Sequence, residues 1–173
     1  GYSLVRKIVE DEGLNYHDAA PFNKDQTLAE VFLKPTKIYV KSFIDSIRRG
    51  QIKGLAHITG GGLLDNIPRI LPNSLCANID ARSWELPAEF QWLAKKGKLS
   101  PFELLRTFNC GIGMALIVNE SEAQEVTDRL STYGEDVVKL GKVSEHDGPS
   151  IVRVKAQDAC WGYDWPWSTT TKS

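Results

Sequence analysis

The stretch HITGGGLLDNIPR at residues 57–69 carries the strongest local pattern in the chain. A short apolar run, KGLAHI (53–58), leads into the glycines, and LLDNIPRIL (63–71) follows them. The spacing predicts a buried strand, a glycine turn and a helix. Because glycine lacks a Cβ atom, the backbone of such a turn can approach a ligand closely and direct several N–H groups toward it. Together with the start of the helix, these groups favour an anion such as phosphate.

On the residues alone, this turn has two interpretations. The glycines at 60–62 match neither the P-loop nor the dinucleotide-binding fingerprint, so an anion site and a flexible turn between closely packed elements are equally open. The helix start is open too: with Asn66 as cap, Pro68 lies in the first turn, whereas a start at Gly62 makes Pro68 remove one internal hydrogen bond. His57, at the strand end, is either a hydrogen-bonded structural residue or a group that binds the anion and moves a proton.

A second polar segment, RTFNCGIGM (106–114), leads into GIGMALIVN (111–119), whose apolar run predicts a strand. Arg106 is suited to pair bidentately with a phosphate, and Asn109 is suited to bind an amide or a hydroxyl group. Cys110 is either a nucleophile or a small buried hydrophobe, and the absence of a neighbouring base in the sequence favours the second interpretation.

The third segment, PTKIY (35–39), gives the weakest signal. Thr36 and Lys37 stand at the start of a helix predicted over residues 37–49. There they either hold an anion or form an ordinary helix start with a solvated lysine. Spacings of His, Cys and carboxylate residues suited to a metal are missing from the sequence, so it predicts no metal ligand.

Composition limits the class of protein. The chain has 173 residues, of which 42% are hydrophobic, and a formal net charge of −1, as expected of one globular domain. The nearly neutral charge argues against nucleic acid or an anionic membrane as the main partner. No apolar run approaches the ~20 residues of a membrane span. The three cysteines form neither a disulfide framework nor a metal pair, which favours a reducing compartment, the cytosol.

The order of the predicted elements indicates an α+β fold with α/β-like layers, in which helices flank one mixed sheet. The chain ends in a strand, a helix and two more strands, which gives it a partial ferredoxin-like topology. The last two strands, DVVKLGKVSE (136–145) and SIVRVKA (150–156), predict a hairpin.

Local signals predict most of the other elements. Capping-box patterns at Thr27 and Ser100 each have a glutamate three residues later and predict two helix starts. Residues 15–26 are polar and predict a loop. The remaining predictions are helices over 2–12, 87–97 and 121–133 and a strand over 74–80.

Five segments, taken together, resemble the C-terminal half of the aminoimidazole ribonucleotide (AIR) synthase family, the phosphoribosylformylglycinamidine cyclo-ligases. They follow the family's order within residues 1–156 and are far more specific as a set than the triple glycine alone. The segments are GYSLVRKIVE (1–10), LKPTKIYVKS (33–42), AHITGGGLLDNIPRILP (56–72), SWELPAEFQWL (83–93) and RTFNCGIGM (106–114). Residues 157–173 fall outside the resemblance, and we expect a tail that is disordered, derives from splicing or engineering, or docks on the domain.

The resemblance implies a reaction in de novo purine biosynthesis. Formylglycinamidine ribonucleotide and ATP become AIR, ADP and phosphate: the substrate's amide oxygen is phosphorylated, and an internal amine then closes the imidazole ring. It also implies that ATP and Mg²⁺ are held mainly by an N-terminal half that this chain lacks and that forms much of a homodimer. The C-terminal half then closes the cleft and supplies glycine-rich contacts to the substrate phosphate.

The resemblance and the residue patterns together define a candidate site. His57 is the candidate catalytic residue. A side chain at Gly61, as in Gly61→Val, is expected to weaken phosphate binding more than it destabilises the fold. Family members often have Arg at the position of Lys37, which keeps the charge but not the guanidinium fork. The candidate substrate- and phosphate-binding residues are Thr59, Gly60, Gly61, Gly62, Asn66, Thr36, Lys37, Arg106, Thr107 and Asn109.

Two roles remain open for the chain itself. It lacks an initiator methionine, and we expect it to begin inside a longer animal-type multifunctional protein and to be inactive without the N-terminal half. The expected partners are then a phosphoribosyl substrate and that half, but neither nucleic acid nor a membrane. The alternative is a non-catalytic binding or assembly module derived from the same domain, which associates through its sheet or its Trp-rich tail.

Overall fold

The computed structural model describes residues 1–156 and the backbone of residues 167–170. Apart from those four residues, the predicted tail lies outside the described part. The helices are α1 (Tyr2–Asp11), α2 (Leu28–Phe32), α3 (Val40–Arg48), α4 (Gly62–Asn66), α5 (Ala88–Gly97), α6 (Pro101–Thr107) and α7 (Ala123–Thr132). The strands are β1 (Ala19–Ala20), β2 (Asn23–Thr27), β3 (Ile52–His57), β4 (Leu75–Asp80), β5 (Met114–Val118), β6 (Gly141–Glu145), β7 (Ile151–Ala156) and β8 (Trp167–Thr170).

The α+β class with a mixed sheet is confirmed, but the strands do not form a single sheet. Within the described residues, β1 pairs with β2, β3 pairs with β5, and a four-stranded sheet has the order β6-β4-β7-β8. In that sheet β4 runs parallel to β7 and antiparallel to β6. The predicted ending of strand, helix, strand and strand is present as β5, α7, β6 and β7, but its strands are divided between two sheets.

The hairpin predicted from the last two strands is wrong. Both β6 and β7 pair with β4, which lies between them, so that Cys76 faces Ser144 on one side and Ile151 on the other. The intervening turn bonds to Ser74 instead: Ser74 N donates to the Gly148 carbonyl at 2.9 Å, and His146 N donates to the Ser74 carbonyl at 2.9 Å. The more buried strand, β4, thereby has hydrogen-bond partners on both edges, whereas β6 is exposed throughout.

Three smaller differences concern local geometry. The predicted loop 15–26 contains most of the β1–β2 hairpin. The helix predicted from residue 37 begins at Val40, so Thr36 and Lys37 precede it. Gly97 is the last residue of α5 rather than its cap, and Lys98 takes the left-handed conformation with φ +50°.

The hydrophobic core has two parts. The larger cluster buries the leucines of α4, α5 and α6 against α1, β4 and β7. The smaller cluster packs Phe43 of α3 and Val126 and Leu130 of α7 against β3 and β5. These clusters pack against both faces of the β3–β5 pair. The glycine turn begins at the end of this pair where His57 of β3 lies opposite Met114 of β5. None of the described helices is both long and apolar enough to span a bilayer.

The predicted capping box at Ser100 is confirmed. Its hydroxyl accepts a hydrogen bond from Glu103 N at 3.2 Å, and the Glu103 carboxylate accepts one from Ser100 N at 2.8 Å. The hydrogen bond from Ser100 N, and to a smaller extent the one with its hydroxyl, hold the pKa of Glu103 below its ordinary value. The Glu103 carboxylate therefore stabilises the fold at pH values above its unfolded pKa. This stabilisation is lost as pH falls through its lowered pKa in the folded state.

We expect Ser100→Ala to reduce the free energy of unfolding by about 1 kcal/mol, because it removes one half of this box. Urea denaturation at neutral pH measures the change. Ser131→Ala is the matched control, since that exposed hydroxyl donates to the Thr127 carbonyl within its own helix, α7. Equal midpoints for the two variants would contradict the prediction.

Candidate functional site

Two of the three predicted segments meet at one end of the β3–β5 pair, where β3 ends and β5 begins. His57, the last residue of β3, lies opposite Met114, the first residue of β5. Beyond them, Ile58 N donates a hydrogen bond to the Gly113 carbonyl at 3.0 Å. Because the strands are antiparallel, the turn that follows β3 and the turn that precedes β5 lie side by side.

The glycine turn is tight, and the helix after it is short. Gly62 N donates to the Thr59 carbonyl at 2.9 Å, and Gly61 and Gly62 both have positive φ, +96° and +57°. Helix α4 starts at Gly62 and ends at Asn66, and Pro68 opens a separate 3₁₀ turn. The open question about the helix start is therefore settled for Gly62. A five-residue helix has only a small dipole to attract an anion. The backbone N–H groups of the turn are therefore the main candidate for binding one.

The three glycines serve different purposes. A Cβ atom on Gly62 would lie 1.9 Å from the Leu105 carbonyl oxygen, and one on Gly61 would lie 2.7 Å from the Asp65 Cβ. A Cβ atom on Gly60 would meet no heavy atom within 4 Å. Packing thus accounts for Gly61 and Gly62, as one of the two initial interpretations states, whereas the backbone of Gly60 faces open space. The expectation for Gly61→Val needs correction, because a side chain there strains the fold itself.

Asn66 supports the turn from inside. Its side chain is buried, and Nδ2 donates to the carbonyls of Gly62 at 2.8 Å and Gly60 at 3.2 Å. The sequence predicted a phosphate ligand here, whereas the structure directs this amide nitrogen to the turn's own carbonyls. Asn66 therefore fixes the shape of the turn.

Arg106 is the cation beside the turn. It lies in the last turn of α6, next to α4, and its Nε lies 3.7 Å from Asp65 Oδ2 with 60% of the side chain exposed. The guanidinium also lies 6.0 Å from the centre of the Phe102 ring. Thr107 follows as the last, half-buried residue of α6. Because Asp65 lies against Gly61, its carboxylate would repel an anion bound at the turn, and the nearby Arg106 charge offsets that repulsion.

The neighbouring turn at 109–112 is fixed by hydrogen bonds. The Asn109 carbonyl accepts from Ile112 N at 2.9 Å, and Asn109 Oδ1 accepts from Gly111 N at 3.1 Å. Cys110 and Gly111 both have positive φ, which defines a type I′ turn. Cys110 is fully buried, and that burial raises the pKa of its thiol far above the ordinary value. The structure therefore favours the buried hydrophobe over the nucleophile.

The third segment reaches the same end of the strand pair through Tyr39. A Cβ on Gly113 would lie 1.9 Å from Tyr39 Oη, so the tyrosine sits directly on that glycine, and its ring meets the exposed His57 ring edge-on at 6.1 Å. Lys37 lies 5.6 Å from the Tyr39 ring centre and pairs with Glu135 at 2.6 Å. Thr36 is exposed beside it. All three predicted segments are thus neighbours.

An open cleft of about 980 Å³ starts where the second and third segments meet. Its wall continues from Gly111 and Gly113 along β5, and Lys37, Tyr39 and Glu135 border it. The glycine turn at 59–62 does not line this cleft, but it begins beside the lining residue Gly113, whose carbonyl accepts from Ile58 N. The candidate site therefore comprises the turn and the part of the cleft that Gly113, Tyr39 and Lys37 line, which we call the cleft mouth. Sequence reasoning missed Glu135, since no local pattern connects it with Lys37. Among residues 1–156, no three His, Cys, Asp or Glu side chains form a group that could hold a metal ion.

A comparison with known families identifies the domain. The model of the family described as "AIR synthase related protein, C-terminal domain" matches residues 1–154. The match contains all three segments of the candidate site and almost all of the described chain. An origin in an animal-type multifunctional protein stays a prediction. This chain belongs to the AIR synthase related protein family, as a member of its C-terminal domain.

Proposed function

We propose that this domain holds the phosphate of a phosphoribosyl substrate in an ATP-dependent cyclo-ligase, which converts formylglycinamidine ribonucleotide to AIR. Family membership supports the class of enzyme. The observation that carries the proposal is the open backbone at Gly60, in a turn whose next residue, Gly61, lies against Asp65, the carboxylate 3.7 Å from the exposed guanidinium of Arg106. Purine biosynthesis in the cytosol is the corresponding pathway and location.

The geometry of the turn supports a phosphate rather than an apolar group. Thr59 and Gly60 are exposed, and Asn66 holds the turn in one shape before a ligand arrives, which lowers the ordering cost of binding. The Arg106 to Asp65 distance of 3.7 Å exceeds a hydrogen bond, so a phosphate can take the guanidinium fork without breaking a close ion pair. Thr107 ends α6, and Asn109 opens the adjoining turn at 109–112.

Within this proposal, ATP and Mg²⁺ are bound mainly by an N-terminal half outside this chain. Bound ATP supplies the phosphoryl group that turns the substrate's amide oxygen into a leaving group. The described residues contain no acidic cluster suited to Mg²⁺, so we assign no metal ligand here. This chain's own residues bind and orient: the turn and Arg106 hold the substrate phosphate, and the exposed His57 beside Tyr39 is the candidate for moving a proton.

Calorimetric titration tests the proposal with two ligands, formylglycinamide ribonucleotide, a stable relative of the substrate, and ATP. We expect these 173 residues to bind the ribonucleotide but not ATP, without turnover, because the proposal places the ATP-binding residues outside them. Gly60→Val should weaken ribonucleotide binding by at least about tenfold while the free energy of unfolding stays within about 0.5 kcal/mol, since the new side chain enters open space.

A second pair of variants separates specific recognition from general charge. Arg106→Gln should also weaken the ribonucleotide by at least about tenfold, the value of a lost charge-assisted hydrogen bond. Arg48→Gln is the matched control, since it removes an exposed arginine of α3 and should leave the affinity unchanged. Equal affinity for the unchanged chain and Gly60→Val would contradict a phosphate site at this turn. No ribonucleotide binding would instead favour the assembly-module alternative.

A further inference from the structure

Glu135 is held in a fixed position by the end of α7. Gly134 has φ +77°, Gly134 N donates to the Ser131 carbonyl at 3.0 Å, and Glu135 N donates to the Leu130 carbonyl at 3.2 Å. This pair of bonds is a Schellman motif, which reverses the chain direction after the helix. The motif turns the Glu135 side chain back toward α3 and the segment that precedes it, where it is only 9% exposed.

Each carboxylate oxygen of Glu135 binds a different part of the candidate site. Oε2 accepts from Lys37 Nζ at 2.6 Å, and Oε1 accepts from the Ser42 hydroxyl at 2.6 Å. Burial by itself raises the pKa of Glu135, but the bonds from Lys37 and Ser42 and the Lys37 charge outweigh it, and the pKa lies below its ordinary value. The group is therefore an anion at neutral pH, and it ties the segment before α3 to the first turn of that helix.

The position of Lys37 links this pair to ligand binding. Lys37, Glu135 and Gly113 border the same cleft, and Tyr39 connects Lys37 with the His57 end of the site. A lysine ammonium has three N–H donors, and the bond to Glu135 uses one of them. The others remain for a ligand that extends from the glycine turn to the cleft mouth.

We propose that Glu135 is a positioning residue, which fixes the ammonium group of Lys37 at the cleft mouth so that Lys37 binds the phosphoribosyl ligand. This inference rests on the proposed function. Metal-binding sites use the same device, in which a second group orients the one that touches the ligand. Glu135 itself touches no substrate in this account, so its effect must pass through Lys37.

A double-mutant cycle tests that dependence by titration with formylglycinamide ribonucleotide. Lys37→Met and Glu135→Gln should each weaken binding about tenfold, and the double variant should also be weakened about tenfold, because the second change removes nothing further. Losses that multiply to about a hundredfold would show two independent contributions and overturn the inference. Glu12→Gln is the matched control: Glu12 also pairs with a lysine between two elements, at 2.5 Å from Lys96, and its loss should leave the affinity unchanged.

An NMR titration of the Lys37 side chain gives a readout that needs no ligand. The hydrogen bond to Glu135 raises the pKa of Lys37, so Glu135→Gln should lower it. If the unchanged chain binds the ribonucleotide but Glu135→Gln alters neither the affinity nor the Lys37 titration, the positioning role alone is overturned. If the unchanged chain binds no ribonucleotide, the proposed function and the positioning role fall together.

Discussion

Gly62→Ala is expected to lower the free energy of unfolding by about 2–5 kcal/mol. The added Cβ would lie 1.9 Å from the Leu105 carbonyl oxygen and 2.6 Å from that of Phe108. These are backbone atoms at the end of α6, so relief requires that α4 and α6 move apart, an overpacking cost of about 1–3 kcal/mol. The φ of +57° adds about 1–2 kcal/mol for a residue with a Cβ atom.

Gly60→Ala provides the matched control for this prediction, two positions earlier in the same turn. It has open space for a Cβ atom and should stay within about 0.5 kcal/mol of the unchanged chain. Chemical denaturation followed by circular dichroism compares the three proteins. If the Gly62 variant is as stable as the Gly60 variant, the close packing of α4 on α6 is wrong.

The same contact explains how packing produces the candidate site. Because Gly62 lets α4 touch the α6 carbonyls, Arg106 at the end of α6 comes within 3.7 Å of Asp65 on α4. A wider separation of the helices would carry the guanidinium away from the glycine turn. The buried Asn66 amide then fixes the turn relative to α4. The triple glycine thus combines close packing, at Gly61 and Gly62, with open space, at Gly60, where we propose that the phosphate binds.

Signals that act over a few residues predicted much of this fold. The Ser100 box, the Thr27 box and the strand at 74–80 depend on neighbouring residues, and the structure has all three. The hairpin prediction failed because strand pairing is non-local: residues 136–156 contain two strands and a turn signal, but nothing there shows that β4 lies between them.

In the candidate site, too, local patterns were predictable and contacts between distant residues were not. The family pattern predicted its three segments as one set, and the structure places them at one end of the β3–β5 pair. The division of labour among the glycines was not predictable, since it depends on which backbone each glycine faces. Glu135 was not predictable either, because its partner Lys37 is 98 residues away in the chain. A buried carboxylate becomes visible as functional only through the groups around it.

Cys110→Asp is expected to destabilise the fold by about 3–5 kcal/mol at neutral pH, the cost of an uncompensated buried charge. The Cys110 side chain is fully buried, and its Sγ lies 3.6 Å from the Leu104 carbonyl and 3.7 Å from that of Phe108. A carboxylate there would face two acceptors. The backbone is not the cause, because aspartate tolerates the left-handed φ of +52°. Asn109→Ala should cost only about 1 kcal/mol, for one lost bond to Gly111 N.

Comparison with Cys110→Asn isolates the charge in this prediction. Asparagine has the same shape, and its amide can donate to the two carbonyls, so it should be clearly more stable than aspartate at pH 7. Burial raises the folded pKa of the aspartate above its unfolded value of about 3.9, so the folded state binds the proton more tightly. The gap between the two variants is therefore smallest below about pH 3.9 and widens as pH rises toward the folded pKa. Denaturation midpoints of both variants between pH 3.5 and 8 measure this difference in stability. A difference that does not change with pH would show that position 110 is not buried as described. So would a larger loss in free energy of unfolding for Asn109→Ala than for Cys110→Asp.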